Sequence, residues 1–155
     1  MRMHGRVSYG PTMPIQLRDQ APDVATVERL STALNRCFTD LEADPDIFTE
    51  DAFFDMLPPF WRFQMQGRDA FVAQLRKIAG DEVSAEALRV VPTATGFVLE
   101  HVETGLNGKD REVARRLFLC EVRDGRISEV VCYCNGGWDD ELRARHAAEA
   151  PMLRP

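Results

Sequence analysis

The sequence predicts an α+β protein in which helices pack on one face of a strongly bent, antiparallel or mixed β-sheet. Three observations carry that expectation. Residues 96–138 read as three long strands in series, GFVLEHVETG, EVARRLFLCEV and RISEVVCYCNGG. Asn107-Gly108 and Asp124-Gly125 punctuate them, and such dipeptides favour tight hairpin turns. Two segments upstream, near residues 23–43 and 69–79, repeat apolar residues at helical spacing instead.

Taken in order, residues 1–21 mix glycine, proline and polar residues without a period, and are expected to form a flexible arm. Pro22 and Asp23 open a helix whose Val27, Leu30, Leu34, Cys37 or Phe38, and Leu41 make one apolar face. Asp44-Pro45 ends it, and a short helical turn over 46–50 is expected next. Residues 51–57 read as a strand, broken by Pro58-Pro59. Residues 61–66 alternate cleanly as a second strand, with Trp61, Phe63 and Met65 on one face and Arg62, Gln64 and Gln66 on the other. Gly67 closes it. The helix over 69–79 turns Phe71, Leu75 and Ile78 inward, and Gly80 ends it. A strand over 84–91 leads through Pro92 into the meander. A C-terminal helix over 139–148 follows, then a tail from 149. The domain proper is thus residues 22–148.

The chain has 155 residues, 45% of them hydrophobic and 28% charged, which suits one soluble domain with a real core. A formal charge of −6 and the lack of any Lys/Arg cluster argue against a nucleic-acid partner. The apolar runs fall short of the roughly 20 residues needed to span a bilayer. The N-terminus lacks the apolar stretch of a secretion signal, so a cytoplasmic location is expected. Cys37, Cys120, Cys132 and Cys134 are then expected as reduced thiols, mostly small buried side chains. Cys132 and Cys134 share one strand face, but without a second pair they do not make a metal site. No Walker, G-x-S-x-G, G-x-G-x-x-G or H-x-x-x-H pattern occurs, so neither a metal nor a cofactor is expected.

The element order and three local patterns resemble the nuclear transport factor 2-like superfamily, and within it the SnoaL-like polyketide-cyclase branch. The patterns are FTEDAFFDMLPPFWRFQMQGRDAFVAQL, GFVLEHVETG and VRDGRISEVVCYCNGGWD, and the resemblance covers about residues 25–139. It implies a cone-shaped sheet whose open mouth binds a small hydrophobic organic ligand. Pocket residues would come from the first hairpin, the middle of the long strands and the end of the last one. It also implies a homodimer joined through the outer face of the sheet. Many members keep an Asp two residues after the aromatic of the last strand. Here Asn135 follows Tyr133 instead, and an amide can donate to an oxyanion but cannot serve as a base.

Asp55 and His101 are the candidate acid–base residues. Asp55 is read as alternating with Phe53 and Leu57 on an apolar face, where desolvation would raise its pKa. His101 is read on an inward set with Phe97, Leu99 and Glu103. If Val98, Glu100 and Val102 face inward instead, Glu100 takes its place. Trp61 and Phe63 would hold an apolar substrate. Arg116, on the face of Phe118 and Cys120, and Tyr133 and Asn135, read on one face with Ile127 and Val131, would meet a developing oxyanion. The expected chemistry is cofactor-free isomerisation, cyclisation, dehydration or epoxide opening of a polyketide- or terpenoid-like molecule. The rival expectation is a non-catalytic module for hydrophobic-ligand binding or dimerisation.

Overall fold

A computed structural model describes residues 21–79, 82–107, 110–150 and 152. The expected N-terminal arm, apart from its last residue, and most of the tail lie outside the described residues. Helix α1 (Val24–Asp40) starts where Asp23 accepts the Thr26 N–H at 2.7 Å, satisfying one otherwise orphaned donor. Val27, Leu30, Leu34, Cys37 and Phe38 form its buried stripe. It stops at Leu41, whose left-handed backbone (φ 54°) returns its N–H to the Cys37 carbonyl.

The helical turn expected over 46–50 does not form. Asp44 accepts the Asp46 N–H at 2.8 Å in a side-chain turn, and strand β1 begins at once (Phe48–Leu57). Long-range pairing overrides the local preference here: Ile47 accepts the Ile127 N–H at 2.8 Å and Phe48 is buried in register with Ile127. Strand β2 is shorter than expected (Phe63–Gln66), because the loop after Pro58-Pro59 holds Phe60 at φ 61° and keeps Trp61 out of the sheet. Helix α2 (Arg68–Ile78), strands β3 (Ser84–Pro92), β4 (Gly96–Asn107), β5 (Asp110–Arg123) and β6 (Arg126–Cys134), and helix α3 (Asp140–Glu149) complete the chain. Asp124 (φ 54°) and Gly125 (φ 71°) make the β5–β6 turn with two left-handed residues, the conformation that tight hairpins favour.

The six strands run in the order β2-β1-β6-β5-β4-β3. Every neighbouring pair is antiparallel except β1 with β6, so the sheet is mixed. Helices α1 and α2 cover its concave side. Phe38, Phe54, Phe71, Phe97 and Phe118 are fully buried between the layers, each contributing about 2–3 kcal/mol by burial. Phe54 stacks on Phe71 with ring centres 4.5 Å apart. The two helices fill one end of the cone with these rings and leave the other end open.

Candidate active site

At the open end lies a cavity of about 410 Å³, walled by β1, β2, β4, β5, β6 and the last turn of α2. Its chemistry follows from the strand register. Residues on one face repeat every second position, so the concave side of β4 presents Phe97, Leu99, His101, Glu103 and Gly105 in turn. Phe97, Leu99 and His101 are fully buried, and Glu103 and Gly105 line the cavity. Across the sheet, Leu99 pairs with Phe118, which pairs with Cys132. One step nearer the mouth, His101 pairs with Arg116, which pairs with Cys134; beyond that, Glu103 pairs with Ala114 and Gly105 with Glu112. The concave face thus changes from hydrocarbon to polar along the cone axis.

Glu103 and Arg116 form the floor. Arg116 Nη2 lies 3.2 Å from Glu103 Oε1 and 3.1 Å from Oε2, and both side chains are largely shielded from water while lining the cavity. Burial raises the Glu103 carboxyl above its ordinary value, and the Arg116 cation offsets this only in part. Burial pulls Arg116 down, but Glu103 and the thiols of Cys132 and Cys134 more than restore it, so it stays a cation. Arg116 Nε has no partner, and its guanidinium carbon sits 5.4 Å from the Phe38 ring centre.

His101 lies behind this floor. Asn35, on α1, donates from Nδ2 to the Ala85 carbonyl at 3.1 Å, which turns its Oδ1 toward His101 Nδ1 at 3.0 Å. Nδ1 therefore carries the hydrogen and Nε2 is a bare acceptor without a partner. Phe38 and Phe118 each meet the ring edge-on at 4.8 Å. Burial, and then the Arg116 cation, push His101 down to about 3, so it is neutral at physiological pH. The ring does not line the cavity.

The remaining sequence candidates divide. Phe63 lines the cavity with Arg116. Asp55 does not: Phe54 and Met56 take the inward positions of β1, and Asp55 faces the convex side. There Arg62 donates to it twice, at 2.8 and 2.5 Å, and these bonds hold the carboxyl below its ordinary value rather than above it. Glu100 is also convex. Burial would raise it, but Arg89 and Arg115, at 2.7 and 2.5 Å, outweigh that and lower it. Trp61 is 73% exposed and outside the cavity. Tyr133 is 55% exposed on the convex side with Val131, not on the face of Ile127. A bulge explains the change of parity: Glu121 pairs with Glu129 but Val122 pairs with Ile127, leaving Ser128 unmatched. Asn135 serves the backbone, accepting the Arg115 N–H at 2.8 Å through Oδ1 and donating its own N–H to the Arg115 carbonyl at 3.2 Å.

Three residues at or near the site were not singled out by sequence reasoning. Asn35 is a polar residue in a helix judged by its apolar stripe. Glu112, at the mouth, is packed against Gly137, where an added Cβ would collide with its carboxylate. Cys134, read as packing, lines the cavity opposite Arg116. Among the described residues no three His, Cys, Asp or Glu side chains gather as a metal site, and no helix is long and apolar enough to cross a membrane.

No protein-family model matches the sequence, and no curated protein does. Solved structures do match. An epoxide hydrolase of the LEH-like type from M. tuberculosis superposes with a TM-score of 0.59 at 19% identity, over 74% of this chain and 86% of that one. An NTF2-like protein of unknown function from Mesorhizobium loti gives 0.58 at 21% identity, over 74% and 97%. A protein with a ketosteroid isomerase-like fold from Catenulispora acidiphila, in complex with trimethylamine, gives 0.55 at 14% identity, over 67% and 83%. The chain therefore has the nuclear transport factor 2-like fold, which these proteins share.

Proposed function

We propose that this protein is an enzyme that performs acid–base chemistry on a small, largely apolar molecule held in the cone, with Glu103 and Arg116 as its working pair. The observation that carries this reading is a half-buried carboxyl at the floor of an open cavity, with its pKa raised, beside an arginine with an unpartnered Nε. A carboxyl whose pKa is moved toward neutrality can take a proton from carbon and return it. Arg116 is placed to hold the negative charge that develops on a carbonyl or epoxide oxygen, an effect worth several kcal/mol in a water-poor site. Met56, Leu57 and Phe63 would hold the apolar body. The SnoaL-like resemblance, together with the isomerase-like and epoxide-hydrolase neighbours, supports a polyketide- or terpenoid-like substrate undergoing isomerisation, cyclisation, dehydration or ring opening. A panel of β,γ-unsaturated ketones and small epoxides tests it: turnover of at least one, lost in Glu103→Gln, is expected. Turnover that survives in Glu103→Gln would remove Glu103 from the chemistry.

A second reading is a ligand-binding module. It draws on Asn135, which stands where many proteins of this fold carry a carboxylate and whose amide oxygen is committed to the Arg115 backbone. Tight ligand binding without turnover across the panel would favour it. We further propose a homodimer through the convex face. Val91, Leu117, Leu119 and Tyr133 are exposed there, and Asp55 and Glu100 on the same face are already paired with arginines of their own chain. Light scattering should give twice the monomer mass, falling to one in Leu117→Glu.

A further inference from the structure

We propose that Arg116 has a second hydrogen-bond partner beneath the floor, the bare Nε2 of His101, and that Asn35 and His101 are positioning residues that hold the guanidinium there once Glu103 has taken up a proton. The inference deepens the proposed function and rests on it for that proton. The hydrogen bond itself does not depend on turnover.

Two orphaned atoms carry the argument. Among the described residues, His101 Nε2 and Arg116 Nε are both shielded from water and both lack a hydrogen-bond partner. One is an acceptor and the other a donor. Since neither meets bulk water, each has to be matched from inside the protein. They belong to directly paired residues on one face of β4 and β5, where Cβ atoms stand roughly 5 Å apart. Both side chains also lie against the Phe38 ring, His101 edge-on at 4.8 Å and the Arg116 guanidinium carbon at 5.4 Å. The third orphaned atom of this cluster, Glu103 Oε2, already faces Arg116 Nη2 at 3.1 Å. The Cys132 thiol also approaches the guanidinium, but sulfur is the weaker acceptor.

The tautomer suits His101 to this task. Asn35 commits its Nδ2 to the Ala85 carbonyl and presents Oδ1 to Nδ1, which leaves the lone pair on Nε2. Phenylalanine would fill the same place without an unmatched nitrogen, so packing alone does not call for histidine. While Glu103 is charged, the ion pair holds Arg116 and the two buried atoms stay unmatched. Once Glu103 is neutral, that pull weakens to the attraction between a cation and an uncharged acid. A small rotation of the guanidinium then lets Nε donate to Nε2, and the Nη groups are left for a substrate oxygen. His101 takes no proton in this exchange.

Nitrogen-15 NMR of the full-length chain at pH 7.5 tests it. In Glu103→Gln, whose amide stands in for the protonated acid, a scalar coupling between Arg116 Nε and His101 Nε2 should appear. The Arg116 Nε proton should also exchange with water about ten-fold more slowly than in the native chain. Should that variant misfold by circular dichroism, Glu103→Leu takes its place with the same expectation. Adding His101→Phe should abolish the slowing, adding Asn35→Leu should weaken it by releasing the other tautomer, and adding Cys132→Ala should leave it intact. Turnover in Glu103→Gln bears on the proposed function alone, so the two readings fail separately. No coupling in either Glu103 variant, slow exchange that survives His101→Phe, or slow exchange lost in Cys132→Ala would overturn the proposal.

Discussion

The two faces of the sheet carry the same kind of ion pair and put it to opposite ends. On the convex side Asp55–Arg62 and Glu100 with Arg89 and Arg115 are carboxylates gripped by exposed guanidinium groups, and both carboxyls are lowered. On the concave side Glu103–Arg116 is enclosed, and Glu103 is raised. The difference lies in how enclosed the arginine is and in the number of bonds it offers. The Arg62 side chain is 60% exposed and offers Asp55 two well-made bonds, whereas Arg116 is 11% exposed and reaches Glu103 through one nitrogen. Two well-made bonds, or two arginines, hold the charge on a carboxylate. A single enclosed arginine nitrogen does not offset the burial around Glu103, and its carboxyl is raised.

This contrast can be broken most forcefully by turnover. With any substrate the panel identifies, Glu103→Gln should reduce kcat by roughly 10²–10⁴-fold. Asp55→Asn should leave kcat within about three-fold, because it stands on the far side of the sheet. Equal losses in both would erase the distinction. Stability should separate the faces next. Arg116→Met leaves the half-buried Glu103 carboxyl without its cation and should cost about 1–3 kcal/mol in urea denaturation. Arg62→Met should cost at most about 1 kcal/mol.

The pH dependence of stability sharpens the picture of what lies beneath the floor. The fold disfavours the His101 cation, so the unfolded chain takes up that proton first. The contribution of His101 is complete above about 6.5 and is lost as pH falls toward about 3. Glu103 acts in the opposite sense, being most favourable when protonated and losing its contribution as pH rises past its ordinary value of 4.5. The difference between the native chain and His101→Gln isolates the first effect. Between pH 6 and 4.5 the native chain should lose up to about 1.4 kcal/mol per pH unit more than the variant. Parallel curves would show that His101 is not held neutral. The smallest effect belongs to the mouth. Gly137→Ala should cost less than about 1 kcal/mol, because the Glu112 carboxylate can swing aside. Gly96→Ala, whose Cβ would strike the Cys120 backbone carbonyl, should cost far more.

Much of the fold was legible because period-two and period-3.6 patterns survive in a single sequence. The inward set Phe97, Leu99, His101 and Glu103 was readable in the same way, though its rival Val98, Glu100 and Val102 was nearly as apolar. What sequence could not supply was parity across irregularities. In β1, Phe53 and Phe54 offer hydrocarbon to both faces, so nothing local says that Asp55 points outward. In β6, the unmatched Ser128 reverses the alternation, which is why Tyr133 parts from Ile127. The turn at Asp44 and the burial of Phe48 replaced an expected helical turn because β1 pairs with a strand some 80 residues away, a contact with no local trace. Asn35 was hidden for a similar reason: its task is to orient His101, which lies 66 residues further along.

The central claim is that the concave pair, and not its convex counterparts, holds an exchangeable proton. A carbon-detected NMR titration of the side-chain carboxyls in the native protein tests it directly. Glu103 should titrate above the ordinary glutamate value of 4.5, while Asp55 titrates below 3.8 and Glu100 below 4.5. A Glu103 that titrates at or below 4.5 alongside the other two would contradict the account.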